Sequence, residues 1–302
     1  MNFKAGIVAA LMAAGVAARA QQIFYARDFL YTREFKIGSD LFESFASAPG
    51  PGGIYIAGAF QFPPYGFDFQ AFMRRYDASG NEIWTKQILA ANAFPTQLAG
   101  DDASVYVAGS IGFGRTDFFL SKYDAAGNEL WSRQARISDG GYHVVTGLTV
   151  NASAVYITVW NGSNQALFRK YSPAGDELWS RAVAVFTSGG AAADASGAYM
   201  LTWTDSTAGF LHKYTTAGDE LWTRPVDTGK VCQCVPPQGP LAADSTGVYV
   251  GGAIISKLDA SGNLLWQRPF GAAASSYSVG AVALDSTGVY VSGGTERALP
   301  GQ

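Results

Sequence analysis

Two histidines, His143 and His212, are the side chains of this sequence that titrate near neutral pH and could transfer protons. Histidine catalysis requires a convergent partner, such as a carboxylate that orients the imidazole. The loop before His143 offers Asp139, and His212 stands at a repeated strand position that other copies fill with arginine or serine. These patterns predict no catalytic residue and favour a protein that is not an enzyme.

Two cysteines, Cys232 and Cys234, are separated by one glutamine, and three interpretations of them stay open. They have a local structural role or none, or they form a strained disulfide in an oxidising compartment, or they bind a metal or exchange electrons. The first interpretation is favoured, because so short a ring adds little stability and no histidine stands nearby as a further metal ligand.

Two aspartates, Asp77 and Asp259, each begin the sequence Asp-Ala-Ser-Gly-Asn, which is a fragment of a calcium-binding loop. The complete ladder of oxygen ligands is missing. Aspartate also accepts hydrogen bonds from the backbone two residues on, and glycine allows a positive φ. We therefore interpret these segments as tight turns and expect neither a metal nor another cofactor.

Aromatic side chains recur in irregular segments of the chain, as at Phe94 and Phe186. Aromatic rings at the mouth of a binding funnel stack on sugar rings or contact peptides. The alternative is that these rings end strands and cap a core. The candidate ligand-binding residues are Phe113, Arg115, Tyr142, His143, Trp160, Trp203 and Asp205.

The element that must position these residues is a repeated segment, exemplified by Lys122-Tyr-Asp-Ala-Ala-Gly-Asn-Glu-Leu-Trp131. Successive copies place their tryptophans 47, 48, 43 and 44 residues apart. A period of this length with β-rich content is typical of propeller blades. The repeated structural residues are Trp84, Trp131, Trp179, Trp222 and Trp266, with Tyr31 in the same place near the N-terminus.

Each copy predicts a β-hairpin, because apolar residues alternate on both sides of a four-residue turn. If Tyr123 pairs with Asn128, Lys122 lies opposite Glu129. Such an exposed pair would contribute about 0.2–1 kcal/mol and would help to fix the strand register.

A second motif, such as Gly247-Val-Tyr-Val-Gly-Gly252, occurs six times, five of them ahead of a hairpin, and predicts six blades. The expected fold class is all-β, a β-propeller of about six four-stranded blades. The last copy, Gly288 to Gly293, has no hairpin after it. We expect residues 22–26 and 29–35 to supply the two missing strands and to close the ring. The alternative is a chain that ends within a blade.

The combined pattern, Asp-x-x-Gly-x-x-Tyr-Val-x-Gly followed by Phe-Leu-x-Lys-Tyr-Asp-x-x-Gly-Asn-x-x-Trp, resembles the bacterial SBBP β-propeller repeat over roughly residues 40–300. The hairpin with its tryptophan is also similar to the docking motif of pyrroloquinoline-quinone (PQQ) propellers. The resemblance implies a propeller fold and export, without catalytic residues that carry over. Ala298-Leu-Pro-Gly-Gln302 resembles the start of a linker in the SBBP family, which favours the alternative of a chain that ends within a blade.

The N-terminus has the layout of a secretory signal peptide, with a basic start, an apolar run from Ala5 to Ala17, and Ala18-Arg19-Ala20 before Gln21. A buried N-terminal helix is the alternative. The apolar run is shorter than the roughly 20 residues that span a bilayer. We expect residues 1–20 to be removed and residues 21–302 to form one propeller domain of a secreted, periplasmic or cell-surface protein.

The net charge is −3 and charged residues make up 15% of the sequence, so no basic surface for nucleic acid is expected. Two functions remain. The first is non-catalytic binding of a glycan or protein by a monomer without a membrane span. The alternative is a propeller enzyme, with a PQQ-type dehydrogenase as the natural candidate, although the predicted number of blades differs from that of the quinoproteins.

Overall fold

The structure is a computed structural model that describes residues 41–61, 69–88, 92–112, 117–136, 143–162, 164–205, 209–228, 240–269, 277–285 and 288–295. The expected signal peptide, Tyr31 and the expected strands at residues 22–26 and 29–35 lie outside these residues. All regular elements of the described chain are β-strands, which confirms the all-β class.

The strands form five four-stranded sheets and one two-stranded sheet within the described residues. The first sheet comprises β1 (Leu41–Gly50), β2 (Gly53–Gln61), β3 (Phe69–Tyr76) and β4 (Glu82–Gln87). The second comprises β5 (Ala93–Gly100), β6 (Ser104–Ile111), β7 (Asp117–Asp124) and β8 (Glu129–Arg136). The third comprises β9 (Val144–Asn151), β10 (Ala154–Trp160), β11 (Gln165–Tyr171) and β12 (Glu177–Ala184).

The remaining sheets continue the same order. The fourth comprises β13 (Thr187–Asp194), β14 (Gly197–Trp203), β15 (Gly209–Thr215) and β16 (Glu220–Val226). The fifth comprises β17 (Leu241–Asp244), β18 (Gly247–Val250), β19 (Ile254–Leu258) and β20 (Leu264–Pro269). The two-stranded sheet pairs β21 (Tyr277–Asp285) with β22 (Gly288–Thr295).

Each sheet is an antiparallel meander in which neighbouring strands follow one another in the chain. The first strand of each sheet packs against the first strand of the next, from β1 through β5, β9, β13 and β17 to β21. The sheets are therefore blades set side by side with their first strands innermost, as in a β-propeller. None of the described sheets closes on itself, and the expected closure by N-terminal strands lies outside the described residues.

In the third blade the second strand is buried on both faces, because a neighbouring blade covers each face. In β10, Val155 and Ile157 belong to an apolar cluster with Leu120 of the second blade. Tyr156, which points to the other face, belongs to a cluster with Met200 of the fourth blade. A strand covered on both faces is a continuous apolar run, and the core therefore consists of apolar layers between successive blades.

A tryptophan on the outer strand of a blade docks on the hairpin turn of the next blade. The indole Nε1 of Trp131 donates to the carbonyl oxygen of Pro173 at 3.0 Å, and Lys122 Nζ donates to the same oxygen at 3.2 Å. The contact recurs at three other boundaries. There the indole nitrogens of Trp84, Trp179 and Trp222 donate to the carbonyl oxygens of Ala125, Thr216 and Ala260.

Glycine at the fourth position of the docked turn meets two requirements. Gly175 has a φ of 87°, a value that residues with a side chain rarely adopt. A Cβ added at Gly175 would lie 2.8 Å from the ring of Trp131, closer than van der Waals contact allows. The same residue therefore permits the turn and the approach of the ring.

The register of the hairpin differs from the expected one. Tyr123 pairs with Glu129 and Lys122 pairs with Trp131, and a register shift separates these two pairs. The expected pairing of Tyr123 with Asn128, and with it the Lys122–Glu129 pair, is wrong. The same shift occurs in the other four hairpins of the described residues.

The turn explains this shift. The Asp124 N–H donates to the Asn128 carbonyl oxygen at 3.0 Å, and Asp124 Oδ1 accepts from the Asn128 N–H at 2.9 Å. Asn128 therefore closes the turn instead of opening the outer strand. One extra residue of the outer strand, Leu130, is left in a β-bulge, where it is exposed.

The docking contact predicts that Gly175→Ala destabilises the protein more than Gly112→Ala does. Both glycines have a positive φ, 87° and 86°, so both substitutions cost roughly 1–2 kcal/mol in backbone strain. A Cβ at Gly112 meets no atom of the described residues within 4 Å. At Gly175 it meets the Trp131 ring, which adds about 1–3 kcal/mol of overpacking. Urea unfolding measures the difference, and equal losses would mean that the ring does not press on the turn.

Candidate functional site

One end of the blades carries the connections between successive blades and between the second and third strands of each blade. We call it the connection face; it includes His143, Trp160, Phe186, Trp203 and Asp205. The opposite end, which carries turns such as residues 124–128, is the turn face. The candidate residues Phe113, Arg115 and Tyr142 lie outside the described residues.

Trp203 ends β14 and is a buried residue of the boundary between the fourth and fifth blades. Its side chain is 0% exposed, and its Nε1 donates to Thr228 Oγ1 at 3.1 Å. The ring packs in an apolar cluster with Val248 and Val250. Trp203 is therefore not presented to solvent in this structure.

Trp160 ends β10, at the place that corresponds to Trp203 in the next blade, and is partly exposed. Its ring packs against an apolar cluster that includes Val185. Its indole nitrogen is buried and has no hydrogen-bond partner among the described residues. A buried donor without a partner costs roughly 1–3 kcal/mol, so an acceptor from water or a ligand would be favourable here.

His143 and Asp205 differ in their access to a ligand. His143 is fully buried just ahead of β9, and its backbone carbonyl accepts a hydrogen bond from Ser110 Oγ of the second blade at 2.8 Å. Asp205 follows the end of β14 and is exposed. His143 therefore links two blades through its backbone, whereas Asp205 faces solvent.

Other aromatic rings on the connection face were not in the candidate set. Phe69 of the first blade and Phe94 of the second form a tilted pair with ring centroids 4.8 Å apart. Phe186 lies between β12 and β13 and is 43% exposed. Phe94 and Phe186 lie in segments that differ from repeat to repeat, and this irregularity could have identified them from the sequence. Phe69 begins a strand, and its contact with another blade has no local signal.

His212 belongs to a chain of hydrogen-bonded side chains in the fourth blade. Its Nε2 lies 2.9 Å from Thr202 Oγ1, and its Nδ1 lies 3.0 Å from Glu220 Oε1. The order of hydroxyl, imidazole and carboxylate is that of a catalytic triad. Thr202, however, is 1% exposed within β14, so a substrate has no access to its hydroxyl. The chain of side chains is structural.

Ion pairs at the same strand positions of other blades agree with a structural role. Arg74 Nε lies 3.4 Å from Glu82, and Arg169 Nη1 lies 2.9 Å from Glu177. His212 and Glu220 take these places in the fourth blade. Burial raises the pKa of Glu220, but hydrogen bonds from Thr223 and His212 outweigh burial and leave that pKa below its usual value.

We expect Glu220→Gln to lower stability at neutral pH and to lower it less in acid. A carboxylate with a lowered pKa stabilises the folded state above its unfolded pKa of about 4.3, and this contribution is lost as pH falls through the folded-state pKa. Melting temperatures from about pH 7 to about pH 3 would show the difference between variant and parent shrinking. Asp102→Asn, at an exposed turn, is the control. A difference that is independent of pH would contradict the prediction.

The acidic turns have the geometry expected of tight turns. Asp77 Oδ1 accepts hydrogen bonds from the N–H groups of Ser79 and Asn81, each at 2.8 Å. Within the described residues, no three His, Cys, Asp or Glu side chains form a group that could hold a metal ion. The same part of the chain contains no helix with the length and apolarity to cross a membrane.

Comparisons with known proteins show the fold. No protein family and no curated protein matches the sequence, so the resemblance to SBBP and PQQ repeats gains no support. The chain is similar to the Dos1 propeller, with a TM-score of 0.51, 11% identity, and coverage of 80% of this chain and 79% of that chain. It is also similar to a protein of unknown function from Bacteroides caccae, with a TM-score of 0.48, 9% identity, and coverage of 78% and 80%. The likeness to the Dos1 propeller identifies a β-propeller fold and nothing further.

Proposed function

We propose that this protein is an exported, non-catalytic β-propeller of about six blades whose connection face binds a glycan or a protein. The observation that carries the proposal is the difference between the two ends of the blades. The connection face presents partly exposed aromatic rings, whereas the turn face repeats one polar turn. The rings are those of Phe69, Phe94, Trp160 and Phe186.

The polar groups of the turn face are already bonded within the protein. Asp124 Oδ1 and Oδ2 accept hydrogen bonds from the backbone and side chain of Asn128, each at 2.9 Å. These bonds, the one from the Asn128 backbone foremost, hold the pKa of Asp124 below its usual value. The Ala125 carbonyl of the same turn accepts from Trp84. A ligand would gain little from groups whose partners are already in place.

The aromatic rings favour two classes of ligand. A partly exposed ring packs against the apolar face of a sugar or against an apolar side chain of a bound protein segment. The net charge of −3 disfavours nucleic acid. We therefore expect a monomeric receptor for a neutral glycan or a protein segment, working without a cofactor.

The alternative is a PQQ-type dehydrogenase or another propeller enzyme. The hairpin with its tryptophan, which is similar to the docking motif of PQQ propellers, is the feature that suggests this alternative. In the described residues these tryptophans contact the turns of neighbouring blades, far from the connection face. They support the fold and do not favour the enzyme.

The proposal includes a closed ring. Within the described residues β21 and β22 form half a blade. An unpaired edge of β22 would be a template for aggregation, so closure has a physical cause. Residues 22–26 and 29–35 are proposed to complete this blade, because residues 29–35 repeat the outer-strand pattern without a blade of their own.

Export predicts that the mature protein begins at Gln21. The basic, apolar and Ala-x-Ala layout of the N-terminus is the motivation. Mass spectrometry of the protein from a secreting host measures the N-terminus. A secreted product that still carries Met1 would contradict the prediction.

Ligand binding predicts that Phe186→Ala and Trp160→Ala each weaken binding by about 1–3 kcal/mol without unfolding the protein. A glycan array and a peptide library, screened with the parent protein, identify the ligand. Leu178→Ala is the matched control, since Leu178 is an apolar residue that is 53% exposed on β12, away from the connection face.

Two outcomes would contradict the proposal, one in the binding experiment and one in an assay for the alternative enzyme. If Leu178→Ala loses affinity and Phe186→Ala does not, the ligand binds elsewhere than the connection face, and the proposal is wrong. A dye-linked oxidation assay of protein reconstituted with quinone runs in parallel. Turnover in that assay would overturn the non-catalytic function.

A further inference from the structure

Partly exposed aromatic rings occur at two places on the connection face, and each place has an asparagine beside it. The first aromatic area lies at the boundary between the first and second blades and comprises Phe69, Asn92 and Phe94. The second aromatic area lies at the boundary between the third and fourth blades and comprises Trp160, Asn164 and Phe186. All of these side chains are uncharged, so both areas are suited to a ligand without charge.

Asn92 joins the two blades beneath the first aromatic area. Its N–H donates to the Phe69 carbonyl oxygen at 2.7 Å, and its own carbonyl oxygen accepts from the Gly112 N–H at 2.9 Å. Its φ of 65° is positive, which asparagine adopts more readily than most residues with a side chain. Beside this junction the Phe69 and Phe94 rings lie in contact, with centroids 4.8 Å apart. The backbone that carries the rings is thus fixed before a ligand binds, which lowers the entropy cost of binding.

The second aromatic area lies on a connection of only two residues, Val185 and Phe186, between β12 and β13. The Val185 N–H donates to the Asn164 carbonyl oxygen in the third blade, and the Phe186 N–H donates to the Trp203 carbonyl oxygen in the fourth, both at 2.8 Å. Phe186 is 43% exposed, and the partly exposed Trp160 packs against the cluster that contains Val185. Here too, exposed rings stand on a backbone that is held by hydrogen bonds.

An aromatic ring beside an asparagine side chain matches the two kinds of surface on a sugar. A sugar presents C–H groups on its face, on which an aromatic ring packs, and hydroxyl groups at its edge. The asparagine amide both donates and accepts hydrogen bonds, as hydroxyl groups do. A protein partner would instead need one continuous apolar core, since a standard interface buries about 800 Å² of each partner. The described rings form two areas with another boundary between them, so the chemistry favours a neutral glycan.

The spacing of the two areas indicates the shape of the ligand. The boundary between the second and third blades lies between them, and there Thr96 Oγ1 donates to the Val145 carbonyl oxygen at 2.9 Å. Packed sheets lie about 10 Å apart and the blades converge on their first strands, so two steps from blade to blade place the areas on the order of 10–20 Å apart. A single sugar ring is too small to reach both areas, whereas a linear chain of sugars can reach both.

We infer that the connection face binds a linear, neutral oligosaccharide that contacts both aromatic areas at once. Binding at one area raises the effective concentration of the chain at the other, so a chain that reaches both binds more tightly than a short one. This inference rests on the proposed binding function of the connection face, and it specifies the class and the shape of the ligand.

The dependence of affinity on chain length tests the inference. The probes are an array of linear neutral homo-oligosaccharides of glucose, mannose, galactose, xylose and N-acetylglucosamine. Isothermal titration calorimetry then compares the disaccharide and the hexasaccharide of the chain that binds best. The hexasaccharide should bind the parent protein at least about tenfold more tightly than the disaccharide.

Two variants remove the aromatic areas one at a time. Phe94→Ala and Phe186→Ala should each abolish the gain with chain length, because only one area is left. The affinity for the disaccharide should change by about twofold or less, since each variant keeps the other area. Leu178→Ala is the control and should bind both chains as the parent does, because Leu178 lies on β12, away from the connection face. Phe94→Leu, which keeps an apolar side chain, replaces Phe94→Ala if the latter does not fold.

The possible results separate this inference from the proposed function. The inference is wrong if no chain on the array binds, if the parent shows no gain with length, or if the gain survives in either variant. A peptide or a charged glycan as the ligand, with binding weakened by Phe186→Ala, would also overturn the inference but would leave the proposed function in place. If every ligand found binds Phe94→Ala and Phe186→Ala as tightly as the parent, the proposed function fails too.

Discussion

The contact between a tryptophan ring and the glycine turn of the next blade couples blades that share no strand. At one boundary Trp179 Nε1 donates to the Thr216 carbonyl at 3.2 Å, while Arg181 lies over the ring at 5.7 Å and donates to the Gly218 carbonyl at 2.7 Å. Each hydrogen bond contributes roughly 0.5–1.5 kcal/mol, and an aromatic side chain can bury about 150–250 Å². Together with the apolar layers between sheets, this contact makes the stability of one blade depend on its neighbours.

The β-bulge that the turn produces in each hairpin also positions the tryptophan for this contact. Tyr123 and Glu129 share one face of the second blade, where the Tyr123 hydroxyl donates to Glu129 Oε2 at 3.2 Å. Without an extra residue, Trp131 would lie on that face too, because side chains alternate along a strand. The bulge moves Trp131 to the face of Lys122, where both side chains reach the same carbonyl of the next blade. The shifted register is therefore also what brings Trp131 to the docking position.

The sequence pattern predicted what is local and repeated. The spacing of the tryptophans gave the order of the strands, which the five described four-stranded sheets follow. The register was predicted wrongly, because the Asn128 N–H donates to the Asp124 side chain and Asn128 therefore belongs to the turn and not to the outer strand. The sequence pattern also did not distinguish Trp160 from Trp203, which occupy the same place in successive blades. The Trp203 indole donates to Thr228, which lies 25 residues further along the chain, whereas the Trp160 indole has no acceptor among the described residues. The local sequence around the two tryptophans therefore does not show this difference.

The two ends of the blades differ in what the fold requires of them. On the turn face each turn supplies a glycine, a carbonyl oxygen and a closing side chain, so a substitution there acts first on stability. On the connection face the boundaries are joined in different ways, by Ser110 and the His143 carbonyl in one and by Trp203 and Thr228 in another. Segments that are free to differ from blade to blade can change without loss of the fold, and loops on a rigid scaffold commonly carry binding residues. The physical requirements of docking therefore restrict the turn face more than the connection face, which agrees with the proposal that the connection face binds the ligand.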